Sequence, residues 1–409
     1  MKSCSKRKIL TLVSVLNLAL VSSTVGWGLT LNEEMIQEIE HCLSKGTVGT
    51  MCDYPHNWRN LSEPLEIHQP IVWSTPATLQ LISKEDIVFG ESALIKSQGE
   101  GNVILKAGME NALNKDYRKT PRGKIIFKNK TTPYIVMKEG VVRFYYNPEK
   151  EHEDHKYWNA ISYSYEQQIE FQGKKDFTAY MLVNHVQDLQ NMEESLYGNY
   201  ALSQDIDAVE TKEWDNGKGF SPLKDSEKGE KGQPFSGHFD GNGYTISHFY
   251  INRPEEDKVG LFGMCSGFKT NPGKIENLVL KDPQVTGHTY VGSLCGWSTY
   301  NLIRNVTITN PTVTATDIAG GIIGTSLNSA LDFITIHNVN IKAKEYKGIV
   351  AGGGNSLKIT LTETSQGVLD RILELLKRDE PKSSSLPMIG YDHNKKSVIG
   401  VHLANPCCP

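Results

Sequence analysis

Residues 233–263 read QPFSGHFDGNGYTISHFYINRPEEDKVGLFG and open the most regular part of a 409-residue chain. A coarse pattern then recurs to residue 354. It is an I-x-x-φ-x-φ strand (φ apolar), a turn and a short apolar block bounded by glycine. The strands are ISHFYI at 246–251, IENLVL at 275–280, IRNVTI at 303–308 and IHNVNI at 336–341, with starts 29, 28 and 33 residues apart. The blocks are VGLFG, VGSLCG, AGGIIG and GIVAG. Their first aligned glycines, Gly260, Gly292, Gly320 and Gly348, are 32, 28 and 28 apart. Two features that keep one period define a repeat, and a period in the 20–50 range means a solenoid or array. A unit of about 28 residues cannot bury its own apolar face, so coils must stack, about 4.8 Å apart, on one continuous interior.

The motif carries its own geometry. Its last three residues alternate, so Leu278 and Leu280, or Val306 and Ile308, point the same way. The three-residue step from the leading Ile signals a bend. Asn277, Asn305 and Asn338 fall at that bend, with His248 in the first unit. Asn tolerates left-handed backbone, and stacked Asn side chains bond one another. Glycine in the blocks permits tight corners and close backbone approach.

Outward from the repeat, the chain divides into five parts. Residues 1–28 read as a secretory signal: Lys2, Lys6, Arg7 and Lys8 precede an apolar run at 9–21 that is short for a membrane span. No later stretch is apolar enough to span a bilayer, so no transmembrane segment is expected after cleavage. In residues 29–71, Leu31, Met35, Ile36, Ile39 and Leu43 have helical spacing and predict a packing helix over the open end of a β domain. A connector follows at 53–70. Residues 72–172 hold short alternating strands, read as irregular coils buried on one side and solvated on the other. Loops are expected at 109–121 and 149–158. Residues 173–354 hold the repeats proper, entered by a strand and helical turn at 177–191 with Asp188 and Leu189 at its core, and a charged loop at 225–231. Residues 355–409 hold a last strand near 357–361, an amphipathic helix at 366–377 read as a second cover, a linker at 380–387 and a tail.

Outside the signal there are six cysteines. Cys42 and Cys52 flank a turn and are the one pair the spacing suggests as a disulfide. Adjacent Cys407 and Cys408 are poorly placed to pair with each other. Cys295 aligns with Phe262 in an inward slot and reads as a small buried hydrophobe.

These residues resemble the GLUG motif. Upstream segments, GNYALSQDIDA at 198–208, WDNGKGFSPL at 214–223 and PFSGHFDGNGYTI at 234–246, look in order like parts of filamentous-haemagglutinin-type bacterial surface proteins. The resemblance implies an all-β fold, a right-handed parallel β-helix with short covering helices. It also implies export and a surface adhesin or stalk role, with a protein or glycan of a host or neighbouring cell as partner. The chain departs from those proteins in its modest length and its N-terminal helix.

The formal net charge of −4 argues against bulk attraction to nucleic acid or anionic lipid. No catalytic or cofactor-binding residue is assigned. A polysaccharide-active enzyme, the alternative function, needs carboxylates facing one external groove. The solvent positions of the repeats carry Glu276, Arg304 and His337, which share no chemistry. His152, Glu153, Asp154 and His155 have zinc-ligand chemistry but read as a solvated loop. The remaining metal candidate is calcium at Asp205, Asp207 and Asp240, since Asp-Ile-Asp on a strand puts both carboxylates on one face. The favoured reading is that all three bond turn backbones.

Overall fold

The computed structural model describes residues 29–111, 122–128, 133–148, 161–224, 233–348, 350–355 and 358–361, with two-residue strands at 391–392, 397–398 and 402–403. The expected signal, the loops at 149–158 and 225–231, most of that at 109–121, and the helix at 366–377 lie outside the described residues.

The described chain is mostly strand, with few short helices. Every strand-to-strand pairing among the described residues is parallel except that of Tyr391–Asp392 with Ser397–Val398. The largest sheet has 14 strands. Its path follows chain order from Met51–Tyr54 through Thr78–Ser83, Asn102–Ala107, Val142–Tyr146, Phe177–Val183, Asn199–Leu202, His238–Asp240, Gly273–Lys281, Asn301–Thr309, Ala330–His337 and Lys358–Leu361 to His402–Leu403, with Ile206–Asp207 and Thr245–Ser247 joined beside it. Smaller parallel sheets gather the strands between. One holds Tyr250–Asn252, Gln284–Gly287, Thr312–Ala315 and Asn340–Lys342; another holds Phe262–Ser266, Cys295–Thr299, Ile323–Leu327 and Ala351–Asn355. From residue 250 on, successive passes of the chain visit these sheets in the same order. Parallel partners require a long crossover, and here the intervening chain passes through the smaller sheets before it returns, each such pass being called one coil.

Register explains the repeat and corrects its phase. Ile275, Ile303 and Leu331 are partners; so are Leu278, Val306 and Ile334, and Leu280, Ile308 and Ile336. All are buried. An ordinary strand puts residues i and i+3 on opposite faces. Asn277 and Asn305 are left-handed, at φ +55° and +53°, and this one residue resets the alternation so that both flanks turn inward. IENLVL and IRNVTI are therefore equivalent. ISHFYI and IHNVNI are not equivalent to them: Ile246 pairs with Leu280, and Ile336 with Ile308, so both belong to the next corner. There His248, Asp282, Asn310 and Asn338 form a second left-handed column, φ +51° to +56°. Sequence spacing merged two corners because both end in Asn flanked by apolar residues.

Both columns are ladders. Asn305 Nδ2 donates to Asn277 Oδ1 at 2.9 Å, and Asn277 Nδ2 to Asp240 Oδ1 at 3.0 Å. In the second, Asn338 Nδ2 donates to Asn310 Oδ1 at 2.9 Å and Asn310 Nδ2 to Asp282 Oδ1 at 2.7 Å. The glycine blocks stay in step, with Gly292, Gly320 and Gly348 paired. A Cβ on Gly292 would stand 2.5 Å from the Cys295 carbonyl oxygen of its own block and 2.6 Å from that of Ile322 on the next coil, so the tight block and the close approach of the next coil together exclude a side chain there.

The expected N-terminal helix is present as Glu33–Lys45. Asn32 caps it, its Oδ1 accepting from Met35 N at 2.9 Å, and Ile36, Ile39 and Leu43 are buried. It packs on Met51–Tyr54, Pro70–Trp73 and Thr78–Ser83. Pairing begins before residue 72: Leu29–Thr30 pairs with Leu65–Ile67, inside what reads as a connector, and Met51–Tyr54 with Thr78–Ser83. Val186–Asn191 is the expected helical turn, with Asp188 and Leu189 fully buried.

Two further expectations need correction. The early coils show the expected alternation at Met51–Tyr54, Pro70–Trp73, Leu94–Ser97 and Asn102–Ala107, but one stretch is covered on its outer side: all six residues of Thr78–Ser83 are buried. Ile82, Met109, Tyr145, Tyr180, Leu182 and Ala201 form a second apolar cluster with Trp58, apart from the interior one. The start of the loop at 109 folds onto this face rather than protruding. Cys295 is not a lone hydrophobe either. It is in disulfide linkage with Cys265 of the preceding coil, as Cys42 is with Cys52. Phe262, not Cys265, is the register partner of Cys295, so alignment by register hid a diagonal pair.

Candidate functional site

The non-repeating chemistry concentrates on the outer face of the long sheet, where the irregular coils meet the regular ones. Strand alternation supplies it. In Val142–Tyr146, Val142, Phe144 and Tyr146 face the interior, which turns Arg143 and Tyr145 outward. Tyr145 stacks on Tyr180 of the next coil, centroids 4.9 Å apart and planes 10° from parallel. Lys106 of the coil before lies over the Tyr145 ring at 5.1 Å.

The FDGNG turn closes over this face. Asn242 and Gly243 are left-handed, at φ +54° and +82°, which brings the turn back across the sheet. Asn242 Oδ1 accepts from Lys106 Nζ at 2.6 Å, and its Nδ2 donates to the Leu202 carbonyl at 3.2 Å. The next residue but one, Tyr244, donates its hydroxyl to Glu110 Oε1 at 2.9 Å, and Glu110 is gripped by Arg59 through both carboxylate oxygens. A segment at 240–244 is thus tied to residues 59, 106 and 110.

Asp240 is the centre of this network. Its Oδ2 accepts from Tyr145 Oη at 2.8 Å, while Oδ1 accepts from Asn242 N at 2.8 Å and Asn277 Nδ2 at 3.0 Å. Burial raises its pKa against the pull of those bonds. Burial likewise lowers Lys106, against the attraction of Asp240 and Asp53, and pushes Tyr145 well up. Beside it, His238 is lowered to about 4, chiefly by burial and then by Lys274 and Arg143.

The three calcium candidates do not converge on one point. Asp205 and Asp207 are exposed with Ile206 buried between them, as a strand requires. Asp205 Oδ1 accepts from Thr245 N at 2.8 Å; Asp207 Oδ1 accepts from Val209 N at 3.1 Å and lies 3.0 Å from His248 Nδ1. Asp240 spends its oxygens elsewhere, as above. Among the described residues no group of three or more His, Cys, Asp and Glu side chains is placed to hold a metal ion. The zinc-like residues 152–155 lie outside the described residues.

Below the junction the outer column runs Asp240, Glu276, Arg304 and Asp332 in register. Arg304 donates to Glu276 at 2.9 Å, so the two residues that seemed chemically unrelated form a pair across coils. His337 is not in that column; its partner is Thr309. The sequence reading missed Lys106, Tyr145, Tyr180 and Asn242 as a group. The available signal was the run of apolar or aromatic residues at outward positions, Ile82, Ile104, Tyr145, Tyr180 and Leu182.

The class that these features define is an all-β protein of stacked parallel sheets, with disulfide-linked coils and a tied outer face. No family model and no solved structure matches the chain. It is similar to Halomucin of Haloquadratum walsbyi, 38% identical over 102 residues, which is 24% of this chain and 1% of that protein. It is also similar to a putative Gly-rich membrane protein of Evansella cellulosilytica, 33% identical over 108 residues, 26% of this chain and 11% of that protein. The matched stretch is thus a small part of either relative.

Proposed function

We propose that the sheets wind as one right-handed parallel β-helix of the GLUG type, exported through the signal at 1–28, and that it works without catalysis as a stalk or adhesion module at the cell surface. The observation that carries this reading is how the outer polar groups are used. Asn277, Asn305, Asp282, Asn310, Asn338, Glu276 and Arg304 bond from coil to coil. Groups committed to one another stiffen a rod rather than present a reactive centre. Two disulfides support an oxidising compartment. Among the described residues no helix is long and apolar enough to cross a membrane. One relative is named as a membrane protein, which fits a surface setting.

The binding partner on this reading is a protein or glycan of a neighbouring or host cell. The test uses the chain from residue 29 in a glycan array and a cell-adhesion assay, beside a variant lacking 233–354. Binding lost in the deletion assigns adhesion to the repeats; binding retained makes them a stalk. Cleavage of any of a panel of plant or bacterial polysaccharides would replace the reading with an enzymatic one.

A further inference from the structure

Asp257, His288 and Asp317 occupy one corner on three successive coils, fixed there by the pairing of Val259 with Val291 and of Val291 with Ala319. His288 Nδ1 lies 2.9 Å from Asp257 Oδ1, and its Nε2 lies 4.0 Å from Asp317 Oδ2. The backbone fixes the ring between the two carboxylates: His288 N donates to the Glu256 carbonyl at 2.7 Å, and its own carbonyl accepts from Thr316 N and Asp317 N at 2.9 and 3.1 Å. Thr289 ties the same acids, its N donating to Asp257 Oδ1 at 3.1 Å and its Oγ1 to Asp317 Oδ2 at 2.7 Å.

A neutral imidazole carries one N–H. With that proton on Nδ1 for Asp257, the lone pair on Nε2 faces the Asp317 carboxylate. Only the imidazolium offers a proton to both. We propose that Asp257, His288 and Asp317 form a proton-operated clasp in which protonated His288 bridges the acids of the coils on either side, and neutral His288 gives up its attraction for Asp317 while Thr289 and the backbone keep the lower coil in place.

The surroundings support the charged form. The hydrogen bond to Asp257 is the main cause that raises His288 above its ordinary 6.5; the charges of Asp257, Asp317 and Glu255 add to it, and partial desolvation opposes it. On the upper coil Glu256 is occupied by Arg253 at 2.9 Å and Lys224 at 3.6 Å. Lys258 on that coil faces the Trp297 ring at 5.7 Å. On the lower side Lys344 and Glu345 follow the next corner, their amides donating to the Thr316 and Asp317 carbonyls. A histidine raised on folding contributes stability that is complete below its unfolded value and is lost as pH rises through the folded one. The clasp is therefore fully closed at pH 6.5 and below, for as long as both acids stay ionised, and it opens as pH rises through the folded-state value, which lies above 6.5. With 43% of the His288 side chain exposed, salt should weaken it.

The experiment follows the His288 ring by NMR in the full chain, and amide exchange at Thr316 and Asp317 at pH 6 and pH 8, corrected for intrinsic rates. The ring should titrate above 6.5 and move back toward 6.5 in Asp257→Asn. Protection at 316–317 should be about 1.5- to 5-fold greater at pH 6, the range of exposed ion pairs, and should become pH-independent in His288→Gln. Asp317→Asn, which keeps the imidazole, should do the same if the first variant folds poorly. A ring titrating at or below 6.5, or pH-dependent protection that persists in either variant, would overturn the clasp.

Discussion

At the scale of single residues, Asn305 does two separable jobs. It holds a left-handed backbone that costs an alanine about 1–2 kcal/mol, and it bonds Asn277 for about 0.5–1.5 kcal/mol. Asn305→Ala should lose both and Asn305→Gly only the second, so urea midpoints should rank wild type, then Gly, then Ala. Equal loss in the two variants would mean that backbone strain is not what selects Asn. Tyr145 is a test of the tied outer face. Tyr145→Phe keeps the stack on Tyr180 and removes one donor from a buried carboxylate, which should cost about 1–3 kcal/mol in denaturant unfolding. The position looked ordinary in the sequence because only the partner coils reveal that an outward Tyr is covered.

At the scale of elements, adjacent coils are held by backbone pairing, by ladders and by one disulfide. Cys265 and Cys295 join strands Phe262–Ser266 and Cys295–Thr299, both fully buried. Replacing both by Ala should lower stability by about 2–4 kcal/mol, and reductant should then have a smaller effect than on wild type. The glycine blocks set the spacing of the same coils. Gly292→Ala would drive a Cβ against backbone carbonyls that cannot turn aside, for about 1–3 kcal/mol measured by the same unfolding. A neutral outcome would show that the coils can separate locally without loss of pairing. The blocks were legible in sequence because glycine recurs at fixed spacing. The disulfide was not, because its two cysteines occupy different register positions and the spacing therefore spoke against a pair.

At the scale of the whole molecule, acid stability should reflect the junction between irregular and regular coils. His238 is lowered to about 4 there, so the folded protein keeps it neutral while the unfolded chain takes up a proton. Its contribution is present above the unfolded value near 6.5 and is lost as pH falls from 6.5 towards 4. Melting temperature should fall over that window, with a shallower slope in His238→Asn. This is opposite in sign to the effect at His288, so the two are best separated by variant rather than by pH alone. In the proposed β-helix, a coil contacts mainly its neighbours. Val306→Ala should reduce exchange protection in 275–336 and leave 29–111 unchanged; a uniform loss would point to all-or-none unfolding.

The sequence by itself determined the repeat, its 28-residue step, the abundance of strand, the helix near the N-terminus and the use of Asn and Gly at corners, but not the phase of ISHFYI and IHNVNI. The features it determined follow from local backbone preference and apolar periodicity, which are written residue by residue. Only the tertiary structure decided which Asn stands above which, that Cys265 meets Cys295, and that Glu276 pairs with Arg304. It alone brought Lys106, Tyr145, Asp240 and Asn242 under one turn. Those outcomes depend on register between coils, and the contacts involved join residues 28 to 136 positions apart. A shift of a few residues at one corner leaves the apolar pattern almost unchanged, yet it exchanges every polar partner outside.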